Sequence, residues 1–361
     1  MSEAIVVGGG LAGGAAAIGL AKAGQHVRLL EREPEPADKV CGEFLSIEAQ
    51  RALERLGVDL DRLGASRITT VRLAWGKRRI ETPLPFTARG LGRKRLDAAL
   101  LDLAASAGVK VERGVAVRAI DADRLVTTQG DINPAVTLIA SGKHELRGAA
   151  RDVAGCDTDY VGFKLHMRLP PRARVDLDGK VDVILFEGGY AGLQLIEDGL
   201  ANLCMLVTKR RLAAIGGTWQ AVFGMLLREP HAAILADAEQ LFPKPLTIAG
   251  VPYGYLYRDA PPSNQFRLGD QAAVIPSFCG EGMAIALHSA AVATSVIVGG
   301  GNAADHHAIL RRDLRRNMAI ATAIQRCGRR DGPRHALLGL LSVRPVTIDW
   351  LIRMTRIPGC A

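Results

Sequence analysis

Apolar positions fall into two textures along this chain. Over the first 150 residues, short continuous apolar runs alternate with stretches of helical period. Ala4-Ile5-Val6-Val7 reads as a buried strand, 15–23 as an Ala-rich helix that Gly24 can stop, and 26–30 as a second strand closed by Glu31. Residues 46–56 place Ile47, Leu53 and Leu56 among charges, with Ser46 able to cap the start of a helix. Strands are predicted over 67–74 and 78–82. A helix is predicted over 95–107, with Leu96, Ala99, Leu100 and Leu103 on one face. Further strands follow over 109–112, 115–120, 124–128 and 135–139. From about 155 the texture changes. Runs at 160–168, 181–186, 192–195 and 201–207 predict a mostly antiparallel sheet, followed by helices near 217–228 and 231–240 and strand-like pieces at 246–249 and 266–268. Residues 280–298 and 304–328 read as helices, and the last 30 mix Arg with Leu, Ile and Trp350 in short helices. This order predicts a discontinuous first domain (1–66, 88–152 and 262–330). A strand-rich second domain (67–87 and 153–261) is inserted into it, and a helical tail spans 331–361.

The first strand–helix–strand unit carries chemistry. Gly8-Gly9-Gly10-Leu11-Ala12-Gly13 fits G-x-G-x-x-G between a strand and a helix, and Glu31 lies at the distance expected of a ribose-binding acid. Glycines let the backbone turn tightly and approach a pyrophosphate, and the helix N-terminus offers it free N–H groups and a positive dipole end. A dinucleotide is the expected ligand.

Composition narrows the class. With 361 residues, 48% hydrophobic and 23% charged, the chain can bury a substantial core. Aromatic residues are only 4%, and the basic residues behind the net charge of +9 are spread along the chain, so nucleic-acid binding is not expected. The charge suits an anionic cofactor, an acyl-carrier-bound substrate or an anionic lipid surface. Cysteines 41, 156, 204, 279, 327 and 360 form no C-x-x-C pair or zinc spacing. With no apolar run long enough to span a bilayer, the expectation is a cytoplasmic protein with reduced thiols and no metal.

A second signature runs from 266 to 290. A strand ends in Gly269-Asp270, a loop containing Pro276 follows, and Gly280-Glu281-Gly282-Met283 opens a helix of small residues. Asp270 can accept a hydrogen bond from a ribityl hydroxyl. The 280–283 turn presents backbone N–H groups to the electron-rich N1–C2=O edge of a flavin, which makes FAD the expected cofactor.

These motifs resemble the FAD-dependent hydroxylase superfamily (group A monooxygenases) and, within it, the geranylgeranyl-reductase-like branch. Besides the two glycine-rich turns, the resemblance rests on Lys39-Val40-Cys41-Gly42-Glu43, similar to the branch's Cys-Gly motif, and Gly92-Arg93-Lys94-Arg95-Leu96-Asp97, similar to the family's Arg-x-x-Leu-Asp helix start. It covers positions 5 to about 290. The implied fold is α/β: a glutathione-reductase-type, Rossmann-like FAD-binding domain with an inserted antiparallel-sheet substrate domain. The implied cofactor contacts are Gly8, Gly10, Leu11, Ala12, Gly13, Glu31, Arg32, Lys39, Cys41, Gly42, Arg93, Ala116, Ala140, Ser141, Gly142, Gly269, Asp270, Pro276, Gly280, Glu281, Gly282 and Met283. The family's Asp-Gly motif falls around 140–147, where this chain has Ser in place of Asp. The Trp-x-Trp-x-Ile-Pro motif of flavin halogenases is absent.

The resemblance implies redox chemistry on a hydrophobic or carrier-bound small molecule in biosynthesis, with NAD(P)H or a separate reductase supplying electrons. The Cys41-Gly42 and Gly-Glu-Gly forms lean towards reduction of a C=C bond by flavin hydride. The alternative is hydroxylation or epoxidation through a flavin C4a-hydroperoxide. Two further readings are a non-catalytic flavin-binding accessory protein and a dehydrogenase holding NAD in the first turn. Cys41, Glu43 and Glu281 are the candidate catalytic groups, the acids as proton donors. Cys279 joins Cys41 as a candidate flavin contact or redox partner, with pocket lining as the plainer role for both. Tyr190 and His166 are candidates to face substrate, against ordinary core or surface roles. Arg32 is a candidate for the adenosine phosphates, His288 reads as structural, 311–316 as a solvated helix face, and the Trp350 region as a packing or peripheral membrane surface.

Overall fold

The structure, a computed structural model, describes residues 3–329, 332, 339, 341 and 346–357. The chain runs β1 (Ala4–Val7), α1 (Leu11–Lys22), β2 (Val27–Glu31), β3 (Phe44–Leu45), α2 (Ile47–Leu56), β4 (Ser66–Trp75), β5 (Arg78–Gly90), α3 (Arg93–Ser106), β6 (Lys110–Arg113), β7 (Val117–Asp121), β8 (Arg124–Thr127), β9 (Gly130–Ile132) and β10 (Val136–Ile139). It continues β11 (Tyr160–Arg168), α4 (Pro171–Leu177), β12 (Gly179–Phe186), β13 (Gly189–Leu195), β14 (Ala201–Thr208), α5 (Lys209–Ala214), α6 (Trp219–Leu226), β15 (Glu239–Gln240), β16 (Leu246–Ala249), β17 (Tyr255–Leu256), β18 (Gln265–Arg267) and β19 (Ala273–Val274). It closes with α7 (Gly282–Val298), α8 (Ala303–Gly328) and α9 (Val346–Met354).

Five parallel strands in the order β18-β10-β1-β2-β6 form the first sheet. Its strands are apolar on both sides because both are covered. Val6, Leu29 and Leu138 pack beneath α1, α3 and α7, whereas Ile5, Val7, Leu30 and Ile139 pack on the three-stranded β7–β9 sheet through Ile120 and Leu125, with Leu146 from the segment after β10 beside them. β1 has β2 on one side and β10 on the other, so the strand order reverses there. The crevice at the C-terminal ends of these strands is where such sheets bind ligands. Local signals act as the residues suggest: Ser46 Oγ accepts from Ala49 N at 3.5 Å, and Gly57, at φ 100°, ends α2 in the left-handed conformation.

The second sheet runs β15-β11-β14-β13-β12-β4-β5-β3, with β16 also beside β11. It is antiparallel except where β12 lies parallel to β4. That junction joins segments far apart in sequence and is pinned by Arg72, which pairs with Asp182 and reaches Asp176 at 2.8 Å. One face carries Phe163, Leu165, Ala191, Leu193, Leu203 and Met205, packed under α6 with Val222, Met225 and Leu226. The opposite face turns towards the first sheet. The helix predicted over 231–240 is instead a 3-10 turn over Pro230–Leu235 followed by the two-residue β15. Pro230 opens that turn without a side-chain cap, and β15 finds its partners on β11. Much of the predicted tail lies outside the described residues. Among the described residues, no helix is long and apolar enough to cross a membrane.

Candidate active site

The β1–α1 turn is shaped by missing Cβ atoms. Gly8 has φ 105°, and a Cβ there would lie 2.5 Å from the Ala140 carbonyl oxygen; one on Gly13 would lie 1.8 Å from that of Gly8. The turn is thereby pressed against the end of β10. Helix α1 begins with no side-chain cap, so its first-turn N–H groups are left to a ligand. Glu31, 8% exposed, accepts from Gly9 N–H at 2.6 Å and Glu33 N–H at 3.0 Å, and its carboxylate retains lone pairs for a diol. Arg93 stands beside this turn, its guanidinium 3.3 Å from where a Gly10 Cβ would be, held by two bonds of 2.9 Å to Asp97.

At the other end of the crevice, Asp270 follows Gly269, whose φ is 55° and whose N–H donates to Ser289 Oγ at 2.8 Å. Lys143 donates to Asp270 at 2.9 Å, and Arg151 donates to the Asp270 carbonyl at 2.8 Å. Burial pulls the Lys143 ammonium down, but Asp270 more than offsets it and its pKa is raised. Gly142, also left-handed at φ 63°, accepts from Gln271 at 2.8 Å, which joins 140–142 to 269–271. Ala116 lies just before β7, bonded to Thr128 and next to Val115, whose N–H donates to the Glu31 carbonyl. Arg32 is exposed and contacts His144 and Glu33, and Lys39 is half-buried. Pro276 precedes the 277–279 turn. Gly280, at φ 69°, then brings Glu281, Gly282 and Met283 to the start of α7, which has no side-chain cap.

Glu43 joins the second sheet to the start of α3. It has no exposed surface and a left-handed backbone, φ 55°, which is costly for a residue other than glycine and persists where the surroundings impose it. Its Oε1 accepts from Arg93 N–H at 2.8 Å and from the buried Lys164 Nζ at 2.6 Å; its Oε2 lies 2.7 Å from His166 Nε2. Asp38 adds a second carboxylate, 3.2 Å from Lys164 Nζ and 3.7 Å from His166 Nδ1. Gln194 donates to the Glu43 carbonyl, and Asn202 donates to those of Cys41 and Gly42. Asp38, Glu43 and His166 could by spacing hold a metal ion. The Lys164 ammonium already supplies the cation between the two carboxylates, so the cluster is complete without one.

Strand register explains the grouping. Lys164 pairs across to Cys204 and Gly192, and His166 to Asn202 and Gln194, while Tyr190 lies beside Leu206 in the next row. All therefore project from the face opposite the helix-covered one. The same face continues through Val183 and Leu185 to Leu73 and Trp75. Tyr190 and Ser277 hydroxyls are hydrogen bonded across the crevice. Burial holds the phenols neutral, with Tyr253 raised to about 12 and Tyr190 well above its ordinary value. Burial also lifts Cys204 to about 12 and raises Cys279 further, so both are thiols rather than thiolates at neutral pH. Lys164, Asp38, Gln194, Asn202, Lys143 and Arg356 were not singled out from the sequence. A usable signal existed for Lys164: it and His166 stand two apart in a strand whose intervening residues are apolar. His288 contacts Asp313 at 3.1 Å, away from this cluster.

An open parallel sheet with a glycine-shaped turn, joined to a sheet with one polar face over the crevice, has the architecture of the Rossmann-like FAD-binding class. Residues 1–158 match the FAD binding domain family. The chain is 24% identical to the menaquinone reductase of Mycolicibacterium smegmatis over 100% of its own length and 96% of that protein's. It is 27% identical to the squalene epoxidase ERG1 of Saccharomyces cerevisiae, over 46% of this chain and only 37% of the epoxidase. Among solved structures, the flavin-dependent brominase Bmp2 superposes with a TM-score of 0.79 at 17% identity, covering 98% of this chain and 93% of that one. A flavoprotein/dehydrogenase from Cytophaga hutchinsonii gives 0.75 at 19% identity, covering 92% and 87%. The family match over residues 1–158 and the sequence relatives support the superfamily of FAD-dependent hydroxylases, and the solved structures show the shared fold. The residues fit FAD: the cradle at Gly8 and Gly13 excludes side chains, α1 is uncapped beside Arg93, and Asp270 closes the far end.

Proposed function

We propose that this chain is an FAD-dependent reductase, similar to the geranylgeranyl-reductase-like branch, that reduces a C=C bond of a hydrophobic or carrier-bound molecule. Bound FAD would supply the hydride, with NAD(P)H or a separate reductase as the electron source. Gly8–Gly13 and Arg93 would hold the pyrophosphate, Glu31 the ribose, Asp270 the ribityl chain, and the 280–283 N–H groups the pyrimidine edge.

The observation that carries this reading is the divided face of the second sheet. Its polar half bears Tyr190, Lys164, His166, Asn202 and Gln194; its apolar half bears Val71, Leu73, Trp75 and Leu185, which stay partly exposed beneath Ile348, Leu351 and Ile352 of α9. Such a face suits a substrate with a polar head and a long apolar part. A quinone with an isoprenoid tail is one, and the full-length likeness to a menaquinone reductase favours that class. His166 lies between the half-buried Asp38 and the buried Glu43 and holds the two carboxylates on one side of the crevice. Glu281 is turned towards Arg356 and Glu48 instead.

Monooxygenation is the second reading, favoured by the likeness to squalene epoxidase. The test is turnover of menaquinone-4 under ¹⁸O₂ with NAD(P)H and a reductase fraction. A product still two mass units heavier after its quinol has been reoxidised, and without ¹⁸O, supports reduction of a C=C bond. Incorporated ¹⁸O replaces it with the monooxygenase reading, and flavin that no donor reduces points to the accessory role. An acyl-carrier or anionic membrane contact, in keeping with the net charge of +9 and with Trp350, 55% exposed, belongs to the same proposal, as does a cytoplasmic location.

A further inference from the structure

The segment after α9 enters the core of the cofactor domain. Thr355 and Ile357 are each 4% exposed, and Arg356 lies between them. The Arg356 guanidinium pairs with Glu281, reaches Glu48 Oε2 at 3.1 Å, and stacks on the Phe86 ring 4.0 Å from its centroid. Glu281 has no exposed surface, its Oε2 makes no close hydrogen bond among the described residues, and Ser46 stands nearby. That carboxylate belongs to the turn that opens α7. Thr355 stands beside the Cys279 thiol on the same turn. Immediately upstream, Ile348, Leu351 and Ile352 of α9 cover Val71, Leu73, Trp75 and Ile80, the apolar half of the face over the crevice. One short piece of chain therefore touches both halves of the site, and nothing local in the sequence joins them: 75 residues separate Arg356 from Glu281.

We infer that Arg356 is a positioning residue for the cofactor: it fastens the 279–283 turn to α9, so that the cover of the substrate face and the N–H groups meant for the flavin are set by one element. The pairing is too buried to be a surface ornament. A lone carboxylate in this position would be strongly disfavoured, and burial with Glu48 nearby already pushes Glu281 up to about 8 even with Arg356 and Ser46 acting against it. The guanidinium is also matched to its task. Its Nη1 bonds both Glu281 and Glu48 while the planar group lies flat on Phe86, a stacking geometry that a lysine ammonium does not reproduce.

The experiment compares the FAD-loaded full-length chain with Arg356→Lys and with Arg356→Gln/Glu281→Gln, the latter removing the buried charge together with its partner. FAD affinity is read by flavin fluorescence, the two-electron midpoint potential by dye-coupled titration, and exchange of the 279–283 amides by mass spectrometry. The expected result in both variants is FAD binding at least tenfold weaker, or a potential shifted by about the 30 mV that equals a tenfold change in the affinity ratio of oxidised and reduced FAD. Faster exchange at 279–283 should accompany it, with Arg356→Lys the milder of the two. Affinity within twofold and an unshifted potential in whichever variant folds would overturn the inference and leave a purely structural pair. It rests on the FAD reading of the turn. Wild-type chain that takes up no FAD sinks that reading, whereas FAD-binding wild-type with indistinguishable variants sinks only the inference.

Discussion

Glu43→Leu is the substitution with the largest expected consequence. It deletes a carboxylate that accepts from Arg93 N–H, Lys164 Nζ and His166, and it leaves a wholly buried ammonium with Asp38 alone, 3.2 Å away. Breaking a buried ion pair from one side costs about 3–5 kcal/mol, chiefly because the remaining charge stays uncompensated. About 4 kcal/mol is a factor of ~10³ in the folding equilibrium. The companion Glu43→Leu/Lys164→Met removes both charges. It still strands the Arg93 N–H and His166, a cost of about 1–3 kcal/mol, so it should recover about 2 kcal/mol of the single-variant loss. Urea unfolding of FAD-saturated protein, followed by tryptophan fluorescence and circular dichroism, gives the four corners of the cycle. A parallel readout is Cys41, whose carbonyl is held by Asn202 and whose sulfur accepts from Glu43 N–H at 3.4 Å; its reaction with a thiol reagent should quicken in Glu43→Leu. A single-variant loss below about 1 kcal/mol, or a double variant equal to the sum of the singles, would refute the reading of Glu43 as the fastening between the second sheet and α3.

Gly13→Ala puts a Cβ 1.8 Å from the Gly8 carbonyl oxygen, so the purified variant should carry no flavin, measured as the 450 nm to 280 nm absorbance ratio; full occupancy would contradict the cradle geometry. Asp270→Asn keeps the shape but removes the charge facing Lys143 and the ribityl position, and should weaken FAD binding about tenfold, for a charged hydrogen bond worth about 1.5–3 kcal/mol. An unchanged fluorescence titration would count against it. Glu281 has its carboxyl raised to about 8, so the folded state holds a proton that the unfolded chain releases near pH 4.3. Stability contributed by this group is present below the unfolded value and declines as pH rises towards 8, and Tm of the wild type should fall against that of Glu281→Gln over that window. A Tm difference independent of pH would exclude the shift. Buried His306 and His307 run the other way. Burial lowers them to about 4 and about 2, so stability present above pH 6.5 is lost on acidification, and His307→Gln should flatten the fall in Tm between pH 6.5 and 4.

The sequence by itself determined the local devices. The β1–α1 turn, the caps of α2 and the strand–helix order follow from glycine sterics, hydrogen-bonding side chains and apolar period, all of which act within a few residues. That is why 46–56, 160–168 and 201–207 emerged almost as predicted, and why the tight turn at Gly8–Gly13 was legible from its glycines. The 231–240 helix failed because Pro230 opens a 3-10 turn and the following residues pair with β11, a partner more than 70 positions upstream that no local window contains. Tertiary structure alone decided the rest. The parallel join of β12 to β4 sets which face of the second sheet looks into the crevice, and only that face turns Lys164 and His166 from polar residues in an apolar strand into the partners of Glu43. Arg356 meets Glu281 for the same reason. Pairings between residues 75 to 123 positions apart are fixed by how the sheets and the last helix pack, and the energy of a buried charge appears only once that packing has excluded water.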